Sequence, residues 1–204
     1  MIDDSNKKFW NRISKIYTSF QEKRNKELYN TLCQKIKPLL KENQKVLELA
    51  CGTGQFTEFL SNNSQYLISS DFSEKMVYEA KKRFNMDNVS FEVQDATNLS
   101  YEDNSFDIVL IANALHVMPN PDKALKEIKR VLTCDGILIA PTFVYDGKIN
   151  NFRLFIMDKI GFKTFNKWTS TQYLDFIQTQ GFNVISIENI YDKVLFECLL
   201  ICKS

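Results

Sequence analysis

The fold turns on residues 46–54, Val46-Leu47-Glu48-Leu49-Ala50-Cys51-Gly52-Thr53-Gly54. An apolar run carrying one acid meets two glycines a single residue apart. A helix over Thr53–Asn62 is expected to follow at once. A strand that stops at a glycine-rich turn before a helix lets backbone N–H groups approach a ligand, because glycine has no Cβ to hold it off. Glu48 narrows what that ligand is. A carboxylate repels a phosphate but accepts bonds from hydroxyl or ammonium groups. The loop therefore points toward a nucleoside carrying positive charge and away from a nucleoside triphosphate.

Outward from this stretch, apolar runs alternate with helical patterns. Strands are expected at Lys45–Ala50, Tyr66–Ser70, Val89–Val93, Phe106–Ala112 and Ile137–Phe143. Helices are expected at Ser73–Phe84, with Ser73 as N-cap, and at Pro121–Leu132, where proline suits the first helical position. Such alternation implies a parallel sheet covered on both faces by helices. Residues 5–37 read as a helix that ends near Pro38. The tail reads as a helix, Ser170–Gln180, a break at Gly181, and strands Phe182–Ile190 and Val194–Cys202. The short turn Tyr191-Asp192-Lys193 makes those two strands antiparallel.

Composition sets further bounds. At 204 residues, with 44% hydrophobic and 25% charged side chains, the chain is expected to form one domain with a sizeable core. A net charge of +1 argues against a nucleic-acid partner held by bulk electrostatics. No apolar stretch approaches the roughly 20 residues of a transmembrane segment, while contact with a membrane surface is left open. The polar, acidic start Met1-Ile2-Asp3-Asp4-Ser5 is unlike a signal peptide. Cys33, Cys51, Cys134, Cys198 and Cys202 are odd in number and form no Cys-x-x-Cys pair, which fits a reducing, cytoplasmic setting. One histidine, His116, cannot build a histidine-rich metal site, and no metal is expected.

At this point the residues carry a resemblance to class I S-adenosylmethionine-dependent methyltransferases. Glu48-Leu49-Ala50-Cys51-Gly52-Thr53-Gly54 resembles their first motif. Asp71 closes the second strand, Gln94-Asp95-Ala96 follows the third, and Phe106-Asp107-Ile108-Val109 opens the fourth. The helix Ala124-Leu125-Lys126-Glu127-Ile128-Lys129-Arg130-Val131-Leu132 is similar to the one before their fifth strand. The resemblance is nearest to the ubiquinone and menaquinone methyltransferases and to small phospholipid or amine N-methyltransferases, whose N-terminal segment Phe9-Trp10 and Ile16-Tyr17 also resemble. Two departures stand out. Thr133-Cys134-Asp135-Gly136 replaces a Lys-Pro-Gly-Gly turn, with Asp-Gly still supporting a tight turn. Ala50 stands where a glycine is common in the family.

The fold this implies is α/β: a Rossmann-like, seven-stranded, mostly parallel sheet with helices on both faces and a C-terminal antiparallel hairpin. Residues 1–37 would be an N-terminal helical lid, 45–143 the cofactor-binding core, 144–169 an acceptor-side segment, and 170–204 the terminal helix and hairpin. The implied cofactor is S-adenosylmethionine, with S-adenosylhomocysteine as product. By resemblance, Glu48, Ala50, Cys51, Gly52 and Gly54 hold its methionine end. Asp71 accepts the ribose hydroxyls, as acids closing a second strand do in dinucleotide folds. Phe72 and Met76 line the adenine site. Asp95, after Gln94, accepts from the adenine amino group while the N–H of Ala96 reaches a ring nitrogen. Asn113 and Ala114 border the sulfonium, and His116 is the candidate general base, or else it merely bonds the backbone. Trp10 and Tyr17 contact the cofactor as part of the lid, using aromatic faces that attract a sulfonium. The plainer alternative is that Phe9, Trp10, Ile13, Ile16, Tyr17 and Phe20 form the apolar side of a docked helix.

The expected activity is methyl transfer to a small-molecule acceptor, an amine or phospholipid nitrogen or a quinone-like ring. With no base stronger than His116, the residues favour a nitrogen or an acceptor already ionised. Acceptor identity is assigned to the aromatic segment holding Tyr145, Phe152, Phe155, Phe162, Phe165 and Trp168, and the oligomeric state is left open. Two alternatives stand beside this reading. A nicotinamide-dependent oxidoreductase would want a third glycine, which Gly52-Thr53-Gly54-Gln55-Phe56-Thr57 lacks. A non-catalytic S-adenosylmethionine-binding module would bind cofactor without turnover.

Overall fold

The computed structural model describes residues 4–146, 163–192 and 195–204. Strands β1 (Lys45–Leu49), β2 (Tyr66–Asp71), β3 (Val89–Val93), β4 (Phe106–Ile111), β5 (Leu132–Val144), β6 (Asn183–Asp192) and β7 (Leu195–Lys203) form one sheet among the described residues. Its order is β3-β2-β1-β4-β5-β7-β6. The pairings of β1 with β2 and β4, β2 with β3, and β4 with β5 are parallel, whereas β7 runs antiparallel to both β5 and β6. The α-helices among the described residues are α1 (Asp4–Ile36), α2 (Thr57–Ser61), α3 (Glu74–Arg83), α4 (Pro121–Val131) and α5 (Ser170–Thr179).

Strand periodicity divides the core into two faces. Leu47, Leu49, Val109 and Ile111 pack with Leu125 and Ile128 of α4 and with Tyr173 and Ile177 of α5. Val46, Ile108 and Leu110 face the other way, onto Leu28, Leu32 and Ile36 of α1 and Leu60 of α2. The expected cap holds: Ser73 Oγ accepts from Met76 N at 3.2 Å and starts α3.

Three boundaries differ from expectation. The helix after β1 begins at Thr57 rather than Thr53. The positive φ angles of Ala50, Gly52 and Gly54 (54°, 57° and 86°) turn the chain three times before a helix can start. The segment Thr133–Gly136 is a bulge within β5 rather than a turn ahead of it. Phe106 pairs with Leu132 but Ile108 with Ile137, so β5 carries extra residues there. A Cβ at Gly136 would lie 2.8 Å from Thr133 O, so the bulge is tight enough to require glycine. Strand β6 runs on through Tyr191 and Asp192, which pair with Phe196 and Leu195 rather than forming the expected turn; Lys193 and the aromatics Phe152, Phe155 and Phe162 lie outside the described residues.

Candidate cofactor site

Strand order reverses between β1 and β4, and ligands of such sheets bind beyond the carboxyl ends at that point. There the structure has a cavity of about 210 Å³. Each wall traces to one loop. Ala50 and Gly52 come from the loop after β1, Asp71, Phe72 and Met76 from the β2–α3 corner, and Gln94, Asp95 and Ala96 from the segment after β3. Asn113 and Ala114 follow β4, while Trp10 and Tyr17 come from α1. All twelve are residues the sequence singles out.

Hydrogen bonds lock these loops together. Asp71 Oδ2 accepts from Gly52 N at 3.0 Å, and its Oδ1 accepts from Ser73 N at 2.8 Å. Gln94 N donates to Asp71 O, and Cys51 N to Ser70 O. Asp95 Oδ1 accepts from both the N–H and the hydroxyl of Thr97. Asp71 is buried, and desolvation pushes its carboxyl up to about 6 against the pull of its two backbone donors. A carboxylate has about four acceptor positions, so two remain for a ligand.

Helix α1 crosses this assembly and is tied to three of its parts. Thr18 Oγ1 donates to Thr53 Oγ1 at 2.7 Å, Ser73 Oγ to Asn11 Oδ1 at 2.6 Å, and Asn6 Nδ2 to Val117 O at 3.2 Å. The rings of Trp10 and Tyr17 meet edge to face, with centroids 5.7 Å apart. A Cβ on Gly52 would lie 3.3 Å from Tyr17 Cε1, tighter than ordinary contact, so the ring sits close over the loop. Ile16, by contrast, is 67% exposed and belongs to neither core nor cavity.

Four residues singled out from the sequence lie elsewhere. Glu48 shares the α1 face of β1 with Val46, and its Oε2 accepts from Thr57 Oγ1 at 2.6 Å and Ser69 Oγ at 2.7 Å. It is an internal tie between β1, β2 and α2, and burial pushes its carboxyl up to about 7. Cys51 is buried, its thiol directed at Gly52 O. Gly54 is small for packing: a Cβ there would stand 2.6 Å from Phe84 Cε2. His116 is buried in the 3-10 turn after β4, with Nδ1 2.9 Å from Thr142 Oγ1 and its ring against Phe143. Burial holds its imidazole down to about 4. It does not line the cavity, so the geometry supports a structural histidine rather than a base.

Other lining residues, among them Asn6, Thr97, Met118, Asn120 and Lys123, carry no signal in the sequence. Glu197 stands behind the cavity wall, where its Oε1 accepts from Asn113 Nδ2 at 3.1 Å. The only signal was an acid inside the apolar run Leu195–Cys202.

Fold and site together define a member of the doubly wound α/β class, with an acid at the end of β2, another just after β3 and Gly52 of the first loop on one cavity. Comparison with known proteins makes this specific. Residues 47–140 match the family described as a methyltransferase domain. The demethylmenaquinone methyltransferase of Staphylococcus aureus (strain MRSA252) is 34% identical over 168 residues, which is 78% of this chain and 68% of that protein. That of Lactobacillus johnsonii is 41% identical over 104 residues, 48% of this chain but only 43% of the relative. The chain belongs to the class I S-adenosylmethionine-dependent methyltransferases. The fold is shared with an S-adenosylmethionine-dependent methyltransferase of Thermotoga maritima (TM-score 0.75, 22% identity, 96% of this chain and 99% of that one). It is also shared with the [4+2]-cyclase SpnF (TM-score 0.71, 20% identity, 85% and 80%).

Proposed function

We propose that this chain transfers a methyl group from S-adenosylmethionine to a quinone-like ring. The observation that carries the reading is that Asp71, Asp95, the Cβ-free Gly52 and the rings of Trp10 and Tyr17 line one cavity. S-adenosylmethionine, when bound, supplies an activated methyl group on a sulfonium. The chain's own residues bind and align. The remaining acceptor positions of Asp71 suit ribose hydroxyls, and Asp95 with the N–H of Ala96 suits one edge of adenine. The faces of Trp10 and Tyr17 suit a sulfonium, at about 0.5–2 kcal/mol per contact. Correct alignment of donor and acceptor contributes about 7–11 kcal/mol in favourable cases.

The relatives' acceptor, demethylmenaquinone, supports a ring over the amine that the sequence favoured. A ring carbon that gains a methyl group must lose a proton. A reduced, ionised quinone ring is electron-rich enough to react without a strong protein base, which fits a cavity that His116 does not reach. No helix among the described residues is long and apolar enough to cross a membrane.

Methyl-labelled S-adenosylmethionine, incubated with a short-chain demethylmenaquinol and in parallel with phosphatidylethanolamine and small amines, tests the proposal. Label is expected in the quinol. Label confined to an amine would replace the acceptor, and tight cofactor binding with no transfer to any of them would replace the enzyme by a binding module.

A further inference from the structure

Two buried polar atoms at the carboxyl end of β4, Asn113 Oδ1 and Glu197 Oε2, lack a hydrogen-bond partner. They belong to one pair, because Asn113 Nδ2 donates to the other carboxyl oxygen, Glu197 Oε1. An amide oxygen and an ionised carboxylate both only accept. With Glu197 charged, the two orphan atoms are therefore left without a donor. A single proton on Oε2 answers both. A carboxylic acid and a primary amide join by two parallel bonds, N–H to the acid carbonyl and O–H to the amide oxygen.

We propose that Glu197 is kept as a neutral acid whose Oε2–H bonds Asn113 Oδ1, and that this two-point pair makes Glu197 the positioning residue for the Asn113 wall of the methyl-transfer cavity. The inference rests on the methyl-transfer reading for its functional meaning, while the pair itself is a property of the chain. Three observations converge on it. Glu197 is wholly buried in β7, in register with Phe143 of β5. Asn113 lines the cavity and holds a left-handed φ of 54°, a region that asparagine tolerates better than other side chains. Its N–H is already committed to Pro141 O at 2.8 Å, so the side-chain amide is the part left to be oriented.

The electrostatics agree. Burial raises the Glu197 carboxyl to about 8, and the Asn113 amide is the group that opposes the rise. The titratable groups around it are Tyr29 on α1, Tyr173 on α5 and Cys198 beside it on β7, each itself raised by burial and neutral near pH 7. Because the folded value lies above the unfolded one, the neutral pair is intact below it and is lost as pH rises through about 8. Ionisation removes the O–H bond and sets a carboxylate oxygen against Asn113 Oδ1, which releases the wall.

The experiment compares wild type, Glu197→Gln and Glu197→Leu. Glutamine keeps both bonds at every pH through its own amide N–H, and leucine keeps volume but neither bond. In protein labelled at the glutamate carboxyl carbons, one resonance should titrate with its midpoint at about 8, above that of Glu48 at about 7, and be missing from the glutamine variant. The ratio of wild-type to Glu197→Gln rates of methyl transfer to the short-chain demethylmenaquinol, in which ionisation of the quinol itself cancels, should fall above pH 8, with kcat at pH 7 within about threefold. Glu197→Leu should lose about tenfold or more in kcat while S-adenosylhomocysteine affinity stays within about threefold. Absence of the titrating carboxyl overturns the proposal. So does a glutamine variant as impaired as leucine, which would make the carboxylate itself the acting group. Failure of all three proteins to bind S-adenosylhomocysteine would instead strike the methyltransferase reading, with the carboxyl titration still deciding the pair.

Discussion

Asp71 and Gly52 are joined by a 3.0 Å bond from the glycine N–H to Oδ2, which fastens the end of β2 to the turn after β1. One carboxylate thus shapes the loop and faces the cavity. In Asp71→Asn, one of the two backbone donors would meet an NH2 group. A charge-assisted bond is worth about 1.5–3 kcal/mol, so S-adenosylhomocysteine affinity should fall roughly 10- to 100-fold by calorimetry. Unchanged affinity would remove Asp71 from the cofactor site.

Glu48 should behave oppositely. Its bonds to Thr57 and Ser69 are internal, and it does not line the cavity. Glu48→Ala leaves two buried hydroxyls without their acceptor and should cost about 1–3 kcal/mol of stability in urea unfolding. Glu48→Gln, which retains an oxygen acceptor, should keep cofactor affinity within about threefold. A large affinity loss without a stability loss would restore the direct contact expected from the sequence.

His116→Asn tests the reassignment of the histidine. The buried imidazole bonds Thr142 rather than the cavity, so kcat should change by less than about threefold. Any cost should appear in thermal stability. A loss of 100-fold or more, of the order general-base catalysis contributes, would contradict the structural role.

The pH dependence of stability follows from buried acids. Asp71, Glu48 and Glu197 are raised to about 6, 7 and 8, so the folded chain holds protons that the unfolded chain has released. Stability should decline as pH rises from about 5 through 8. His116, lowered to about 4, acts in the opposite sense and adds stability as pH rises from about 4 to 6.5. The melting temperature of the cofactor-free protein should therefore peak in mild acid, and Glu197→Gln should flatten the upper part of the decline.

Much of this architecture is legible in the chain because local signals agree with the fold. Ser73 caps α3, Pro121 opens α4, and the spacing of Trp10 and Tyr17 sets both on the helix side that meets the cavity. What was not legible depends on partners distant in sequence. Glu48 looked like a ligand group because it adjoins the glycines, but strand alternation puts it with Val46, toward α1 and α2. Gly54 looked like part of the loop's ligand surface until Phe84, thirty residues on, explained its size. His116 meets Thr142 of β5, and Glu197 reaches Asn113 from β7 with no motif to announce it.

The central claim is that the cavity between β1 and β4 holds S-adenosylmethionine. Thermal unfolding with S-adenosylhomocysteine at 100 times its dissociation constant tests it most directly, with NADH as the control. The expected result is about 2.7 kcal/mol of added stability from the nucleoside product, none from NADH, and most of the gain lost in Asp71→Asn. Equal stabilisation by NADH, or no shift with S-adenosylhomocysteine, would contradict it.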